Sequence, residues 1–435
     1  MIPAPCSTRR AWLRELERLA DELERRAPEW LATVALGIRP TAAPPWLLEA
    51  AKEWGAVIET GVTPRHAIEA RFARRTNGLP PPASSPGAAD DVERAWRRRL
   101  RSERIAELAR LDAAVAAAAV RRIRCADGVE LEYRHAGEGP ETLVVWNALD
   151  QDALLLRGPL ALLPRRCRVL AWQPRPAASA ADAHAPAFAD HETDLARILA
   201  HERLGRVHLV GWCTGGKSCL RFAARHPQSV ASVALLQPAL RDPVTPPAED
   251  SPWEREMEGF AARLLEQPEL APLAAAALTR LDAGAVLSGA RLREDPRACA
   301  EEALARVPAD VEPLVRRTWQ DGASTLAYLR RMVDFWQHPV DAALAEIACP
   351  VIFLSAGQDR VASPRLAEHA RLRLTAAPAT THWIAPDGDH YLPHQEPHLA
   401  VAALEAFLAR PASPLPPHAE WIPYSEAHQD DVYAA

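Results

Sequence analysis

Two periodicities divide the chain. From residue 8 to about 119, apolar positions recur three and four residues apart, the spacing of amphipathic helices. Leu13, Leu16, Leu19, Ala20 and Leu23 make one stripe. Trp30, Leu31 and Val34 begin another after Pro28, and Trp46, Leu47, Leu48, Ala51 and Trp54 a third after Pro44 and Pro45. Thr63-Pro64 offers an N-cap followed by proline at the first helical position, which predicts a helix to about Arg75. Residues 79–89 are rich in Pro, Ser and Gly and read as a linker. A long helix over 90–119 follows. Its basic run, Arg94, Arg97, Arg98, Arg99, Arg101 and Arg104, reads as a solvated face, with a docking patch for an acidic partner as the sharper alternative.

From residue 120 the period shortens. Val120–Cys125 and Glu130–His135 flank an Asp-Gly turn signal and predict a hairpin. Short apolar runs then alternate with helical stretches: Thr142–Trp146, Arg168–Trp172, Val207–Val210, Ser232–Leu236, Val351–Ser355 and Thr380–Ile384. That alternation predicts a mostly parallel sheet with helices on both faces. Residues 239–347 are rich in helix formers and read as an insertion between strands. Their aromatics, Trp319, Tyr328, Phe335 and Trp336, are expected to pack its core or to line a pocket. Residues 411–435 are Pro-rich and acidic and read as an extended tail. The expected organisation is therefore a helical region over 1–119, a main domain over 120–410 and the tail.

Composition narrows the function. Of 435 residues, 48% are hydrophobic and 25% charged, as in a globular protein. A net charge of −6 argues against nucleic acid as the main partner. No apolar run is long enough to span a bilayer, and no secretion signal opens the chain. The seven cysteines are scattered without a Cys-x-x-Cys pair, so neither a disulfide framework nor a zinc site is expected. A reducing cytoplasm fits that usage. Basic residues are almost all Arg, with only Lys52 and Lys217 as lysines. Abundant Ala and Pro alongside them match a GC-rich bacterial genome.

The chemistry concentrates at Val207-His208-Leu209-Val210-Gly211-Trp212-Cys213-Thr214-Gly215-Gly216. A β-forming run enters Gly-x-Cys-x-Gly-Gly and a helix leaves it, the arrangement of a nucleophile elbow. Gly211 and Gly215 let strand and helix crowd together. The helix N-terminus would aim its positive end at Cys213 and favour a thiolate. Lys217, one turn further on, is expected to be exposed. Cys125, Cys167, Cys219, Cys299 and Cys349 read as small buried hydrophobes.

Three segments in order resemble the α/β-hydrolase fold over residues 120–410. Phe188–Leu195 followed by the elbow resembles its approach to the nucleophile. Pro350–Asp359 resembles the strand ending at its acid, and Asp387–Pro397 the segment carrying its histidine. The resemblance implies an α/β fold with a helical cap insertion, here preceded by an N-terminal helical extension. It also implies a Cys213, Asp359, His390 triad. His382 lies within a predicted strand and His394 a turn later, so His390 leads; Asp242 is the reserve acid. The oxyanion hole would use the Thr214 N–H, with a second donor from Leu149 or Ala148. There the family usually has His-Gly, whereas this chain reads Asn147-Ala148-Leu149-Asp150.

The elbow cysteine is similar to that of polyhydroxyalkanoate synthases, dienelactone hydrolases and Cys-type thioesterases. An S-acyl cysteine is itself a thioester, so acyl transfer from a CoA or carrier-protein thioester onto Cys is nearly isoenergetic. The expected activity is a thioesterase or acyltransferase without cofactor or metal. An ester or lactone hydrolase is the alternative, and a catalytically weak binding or scaffold protein a third. For residues 1–119, oligomerisation and partner docking both stay open.

Overall fold

The computed structural model describes residues 109–125, 128–151, 153–172, 188–244, 249–280, 312–357, 359–386, 388–415 and 421–426. The helices expected over residues 1–108, the linker at 79–89 and the basic run lie outside the described residues. Residues 109–117, the end of the expected Arg-rich helix, are helical (α1).

Strands β1 (Ala119–Arg124) and β2 (Glu130–Ala136) pair antiparallel, with Ala119 opposite His135. Gly128, in the connection between them, has φ +84°. β2 alternates as a half-buried strand must: Leu131 and Tyr133 face the core, Glu130 and Glu132 the solvent. Next come β3 (Thr142–Trp146), α2 (Arg157–Leu162), β4 (Arg168–Trp172), α3 (Phe188–His201), β5 (Val207–Trp212), α4 (Thr214–Arg225) and β6 (Val230–Leu236). After an insertion the chain resumes with β7 (Val351–Ala356), α8 (Pro364–Leu372), β8 (Thr380–Ala385) and α9 (Pro397–Ala409). The sheet order is β1-β2-β4-β3-β5-β6-β7-β8-β9, β9 being Ile422–Pro423. From β4 to β8 every neighbouring pair is parallel.

β3, β5 and β7 are buried at every position, which explains why their sequences run apolar without alternation. One face of the sheet packs Val145, Val210 and Ile352 against Leu160 of α2 and Leu404 and Phe407 of α9. The other packs Val144, Leu209 and Phe353 against Leu195 of α3, Leu220 and Phe222 of α4 and Leu366 of α8.

The insertion carries α5 (Pro252–Glu266), α6 (Ala271–Arg280) and α7 (Gly322–Gln337). Ser251 and Glu254 start α5 with a reciprocal capping box, and Asp321 caps α7 by accepting from the Ser324 N–H at 2.7 Å. These helices share a separate core of Met257, Leu264, Trp319, Tyr328, Met332 and Phe335, joined by Leu149 from the loop after β3. Residues 281–311 of the same stretch lie outside the described residues.

The tail departs from the expected free extension at one place. Ile422–Pro423 form a short strand, β9, pairing antiparallel with Ile384 and Trp383 of β8. Trp421 and Tyr424 on either side are buried, and the Tyr424 ring stacks on His382 at 4.3 Å. Two buried aromatics outweigh the surrounding proline-rich composition.

Candidate active site

β5 runs two residues past its expected end, and Cys213 stands between its last residue and the first of α4. Cys213 has φ 52° and ψ −123°. A non-glycine residue held there costs on the order of 1–3 kcal/mol and persists only where surrounding contacts fix it. The fixing contacts are visible. The Cys213 N–H donates to Leu236 C=O at 3.1 Å, and its C=O accepts from Gly216 and Ala239, each at 3.0 Å. A Cβ on Gly211 would sit 2.6 Å from Gly215 C=O, and one on Gly215 would collide with Trp146 C=O. Both glycines are therefore required by close backbone approach. The turn forces the side chain outward at the C-terminal edge of the parallel sheet, where such sheets build their sites.

His390 lies beyond the end of β8 and is 4% exposed. Its Nδ1–H donates to Asp359 Oδ2 at 2.9 Å. Asp359, just past β7, is buried, and its Oδ1 accepts from the Val361 and Ala362 N–H groups at 2.8 and 2.9 Å. The carboxylate is thus locked in place by its own loop. Burial would push the imidazole down, but the Asp359 carboxylate hydrogen-bonded to it, together with Cys213, raises it well above the usual histidine range. Trp212 supports the same histidine: its Nε1–H donates to His390 C=O at 3.2 Å, and its ring lies 5.2 Å from the imidazole. The structure therefore brings His390 and Asp359 together through a hydrogen bond, with Cys213 near the same imidazole.

Asp242, the reserve acid, is elsewhere. Its Oδ2 accepts from the Val340 N–H at 2.6 Å and its Oδ1 from the Val244 N–H at 3.2 Å. It braces two loops, while the carboxylate on His390 is that of Asp359.

The wall opposite the elbow is the loop after β3. The Ala148 N–H donates to Asn147 Oδ1 at 2.8 Å, and the Leu149 N–H donates to the Thr214 hydroxyl at 2.8 Å. Both expected second donors are thus engaged by side chains. The Thr214 N–H opens α4 directly after Cys213. Asp150 ends the wall in a left-handed conformation, φ 57°. Its carboxylate is gripped by Arg331 of α7 through Nε at 2.8 Å and through Nη2. The Thr214 hydroxyl contact was invisible in the sequence, where Thr214 counted only for its backbone.

Lys217 corrects the expectation of exposure. It is fully buried. Its ammonium donates to Arg241 C=O at 2.7 Å and to Phe335 C=O at 2.9 Å, with the Phe335 ring 4.5 Å away. Phe335 is in the last turn of α7, whose exposed carbonyls attract a cation. Burial lowers the Lys217 pKa to about 7 against the opposing pull of Asp242.

Histidine–serine contacts occur at two further places. His382 joins Ser355 Oγ at 2.8 Å and Glu368 at 2.9 Å, and His208 joins Ser232 Oγ at 2.7 Å and Glu141 at 3.1 Å. Both sets have the hydrogen-bond logic of a serine triad. Both serines sit inside strands, β7 and β6, rather than on a positive-φ turn.

Residues 161–397 match the family model of the alpha/beta hydrolase fold. That is more than half of the chain, and the protein belongs to this family as a hydrolase-fold enzyme. No curated protein sequence matches it. Among solved structures it is similar to a hydrolase from Pseudomonas aeruginosa PA01, with 20% identity over 67% of this chain and 99% of that one and a TM-score of 0.48. A thermophilic esterase from Thermogutta terrifontis shares 18% identity over 68% and 100%, with a TM-score of 0.46. A membrane phospholipase A, described as a bacterial virulence factor, shares 19% over 72% and 93%, with a TM-score of 0.50. Among the described residues no helix is long and apolar enough to cross a membrane.

Proposed function

We propose that the protein is a cysteine-dependent acyl-processing enzyme acting on thioesters through an S-acyl Cys213 intermediate, as a thioesterase or acyltransferase. One observation carries this reading: a cysteine held at φ 52° beside a histidine whose other ring nitrogen is fixed by a buried carboxylate. Backbone strain at a buried, braced position is what a nucleophile needs and what a packing cysteine does not.

In this reading the Cys213 sulfur attacks the acyl carbon while His390 holds the thiol proton as imidazolium. Asp359 keeps Nδ1–H in place and stabilises that cation. The carbonyl oxygen becomes an oxyanion facing the Thr214 N–H and the positive end of α4. Collapse breaks the bond to the leaving thiolate, which takes the proton from His390. A second nucleophile, water or an acceptor hydroxyl or amine, then gives its proton to His390, attacks the S-acyl carbon and releases Cys213. Residues 239–347 would act as the cap that covers the acyl chain, and the donor thioester would be carried on CoA or an acyl carrier protein.

An ester or lactone hydrolase is the second reading, favoured by membership of a hydrolase-fold family whose chain order of nucleophile, acid and histidine Cys213, Asp359 and His390 would follow. Hexanoyl-N-acetylcysteamine and 4-nitrophenyl hexanoate separate the two by kcat/KM. Intact-protein mass spectrometry after rapid mixing with the thioester should show one added hexanoyl group on Cys213, absent in Cys213→Ala. A hexanoyl adduct persisting in that variant, or mapping to Ser355 or Ser232, would refute the cysteine route.

A further inference from the structure

Among the described residues, Arg331 is a guanidinium near the elbow with an uncommitted edge. It projects from α7 and its side chain is 5% exposed. Nε and Nη2 are both spent on one oxygen of Asp150. Nη1 is buried and has no hydrogen-bond partner. A buried donor without a partner costs about 1–3 kcal/mol, and in a native structure such a group calls for a specific reason.

Its place supplies one. Tyr328 precedes Arg331 by three residues, so the two share a face of α7. The buried Tyr328 hydroxyl is pushed up by burial, and it feels the charges of Cys213 and Asp150 and, in the opposite sense, of Arg331. Arg331 is joined to Asp150 by the ion pair, and Tyr328 packs in the cap core that Leu149, the neighbour of Asp150, also joins. Asp150 belongs to the loop that forms the wall opposite Cys213. So the free edge of a guanidinium, held by Asp150 on its other edge, is fixed near the candidate nucleophile.

We propose that Arg331 is a specificity-determining residue that binds a carboxylate carried by the substrate, through Nη1 and with Tyr328 as neighbouring donor. This rests on Cys213 as the acyl acceptor. The donor count favours a single carboxylate over a phosphate: one free donor edge matches one carboxylate oxygen, whereas a phosphate dianion would need several donors to leave water. The anchored carboxylate would hold the reacting carbonyl against the elbow, turning binding energy into orientation. The preferred substrates are then monoesters or monothioesters of dicarboxylic acids, or thioesters whose leaving group is acidic.

The test compares three thioesters: hexanoyl-N-acetylcysteamine, glutaryl-N-acetylcysteamine and hexanoyl-3-mercaptopropionate. Wild type should prefer one acidic substrate over the neutral one, and the arm that wins places the carboxylate on the acyl or the leaving side. In Arg331→Met that preference, taken as a ratio of kcat/KM values, should fall at least about ten-fold, the loss of one charge-assisted hydrogen bond. Arg331→Lys, which keeps the charge but cannot hold Asp150 and a second carboxylate together, should lose most of it too and serves if the Met variant does not fold. A ratio unchanged in both variants, or no preference in wild type, overturns the proposal. Glutarate binding to Cys213→Ala by calorimetry keeps the two readings apart. Binding that vanishes on adding Arg331→Met supports the subsite even if Cys213 proves not to be acylated, and its absence in the single variant sinks the subsite alone.

Discussion

Lys217→Met is the perturbation with the most readable outcome, because one buried amine ties the elbow helix to the last turn of α7. The lysine titrates at about 7 in the folded protein against 10.5 unperturbed, with burial as the leading cause. Its folded pKa is lowered, so between pH 7 and 10.5 the unfolded chain binds a proton that the folded one does not. Stability should therefore rise with pH across that window, by up to 1.36 kcal/mol per pH unit and roughly 5 kcal/mol in all. Below pH 7 the full cost is present. The neighbours that face this amine are Asp242, Arg221, Glu254 and Arg241. Glu254 is raised to about 7, chiefly by burial, so its contribution falls as pH rises from 4.5 to 7 and ends where that of Lys217 begins. In Lys217→Met the proton linkage disappears, while Arg241 C=O and Phe335 C=O lose a donor at about 1–3 kcal/mol each. The variant should thus be less stable than wild type at pH 10 and close to it at pH 7. Urea denaturation of the full chain at half-unit steps from pH 7 to 10 measures both curves. Parallel curves would refute the reasoning, since they would mean that Lys217 keeps its proton in the fold.

Two further outcomes follow from the site. Asp359→Asn replaces the acceptor for His390 Nδ1–H with a group that can present a donor, so the wrong tautomer is favoured. Thioester turnover should fall by about 10³ to 10⁴ with the melting temperature little changed, and a loss below ten-fold would remove Asp359 from the proposed mechanism. Gly215→Ala places a methyl group against the Trp146 carbonyl, backbone on backbone, where nothing flexible can give way. It should cost several kcal/mol, on the order of the worst overpacking substitutions, and a melting temperature within a degree of wild type would contradict the packed elbow.

The sheet was readable because its strands are buried on both faces. Val207–Val210 and Val351–Ser355 are continuous apolar runs that no surface strand would carry, and the elbow glycines mark where the backbone closes up. Cys213, Asp359 and His390 are expected as a set because each follows a strand; the structure joins Asp359 to His390, and their joint role belongs to the proposed mechanism. Lys217 was misread because charge alone suggests solvent. Its burial depends on two carbonyls, one 118 residues away on α7, and no local pattern carries that information. Asp150 and Arg331 were missed for the same reason, being 181 residues apart. The short strand at Ile422 hid inside a proline-rich tail, where only Trp421 and Tyr424 hinted that the chain returns to the sheet.

Leu149 deserves a last consequence. Its side chain is a member of the cap's hydrophobic cluster, and its N–H is bound to the hydroxyl of the residue that follows Cys213. A single residue is thus shared between the core of the inserted helices and the wall opposite Cys213. Mechanically it is a rivet: the inserted helices cannot shift by much without pulling the Leu149 N–H from the Thr214 hydroxyl, next to Cys213. Substitutions in the cap core, such as Met257→Ala or Leu329→Ala, should then register in turnover as well as in melting temperature, although neither side chain belongs to the triad.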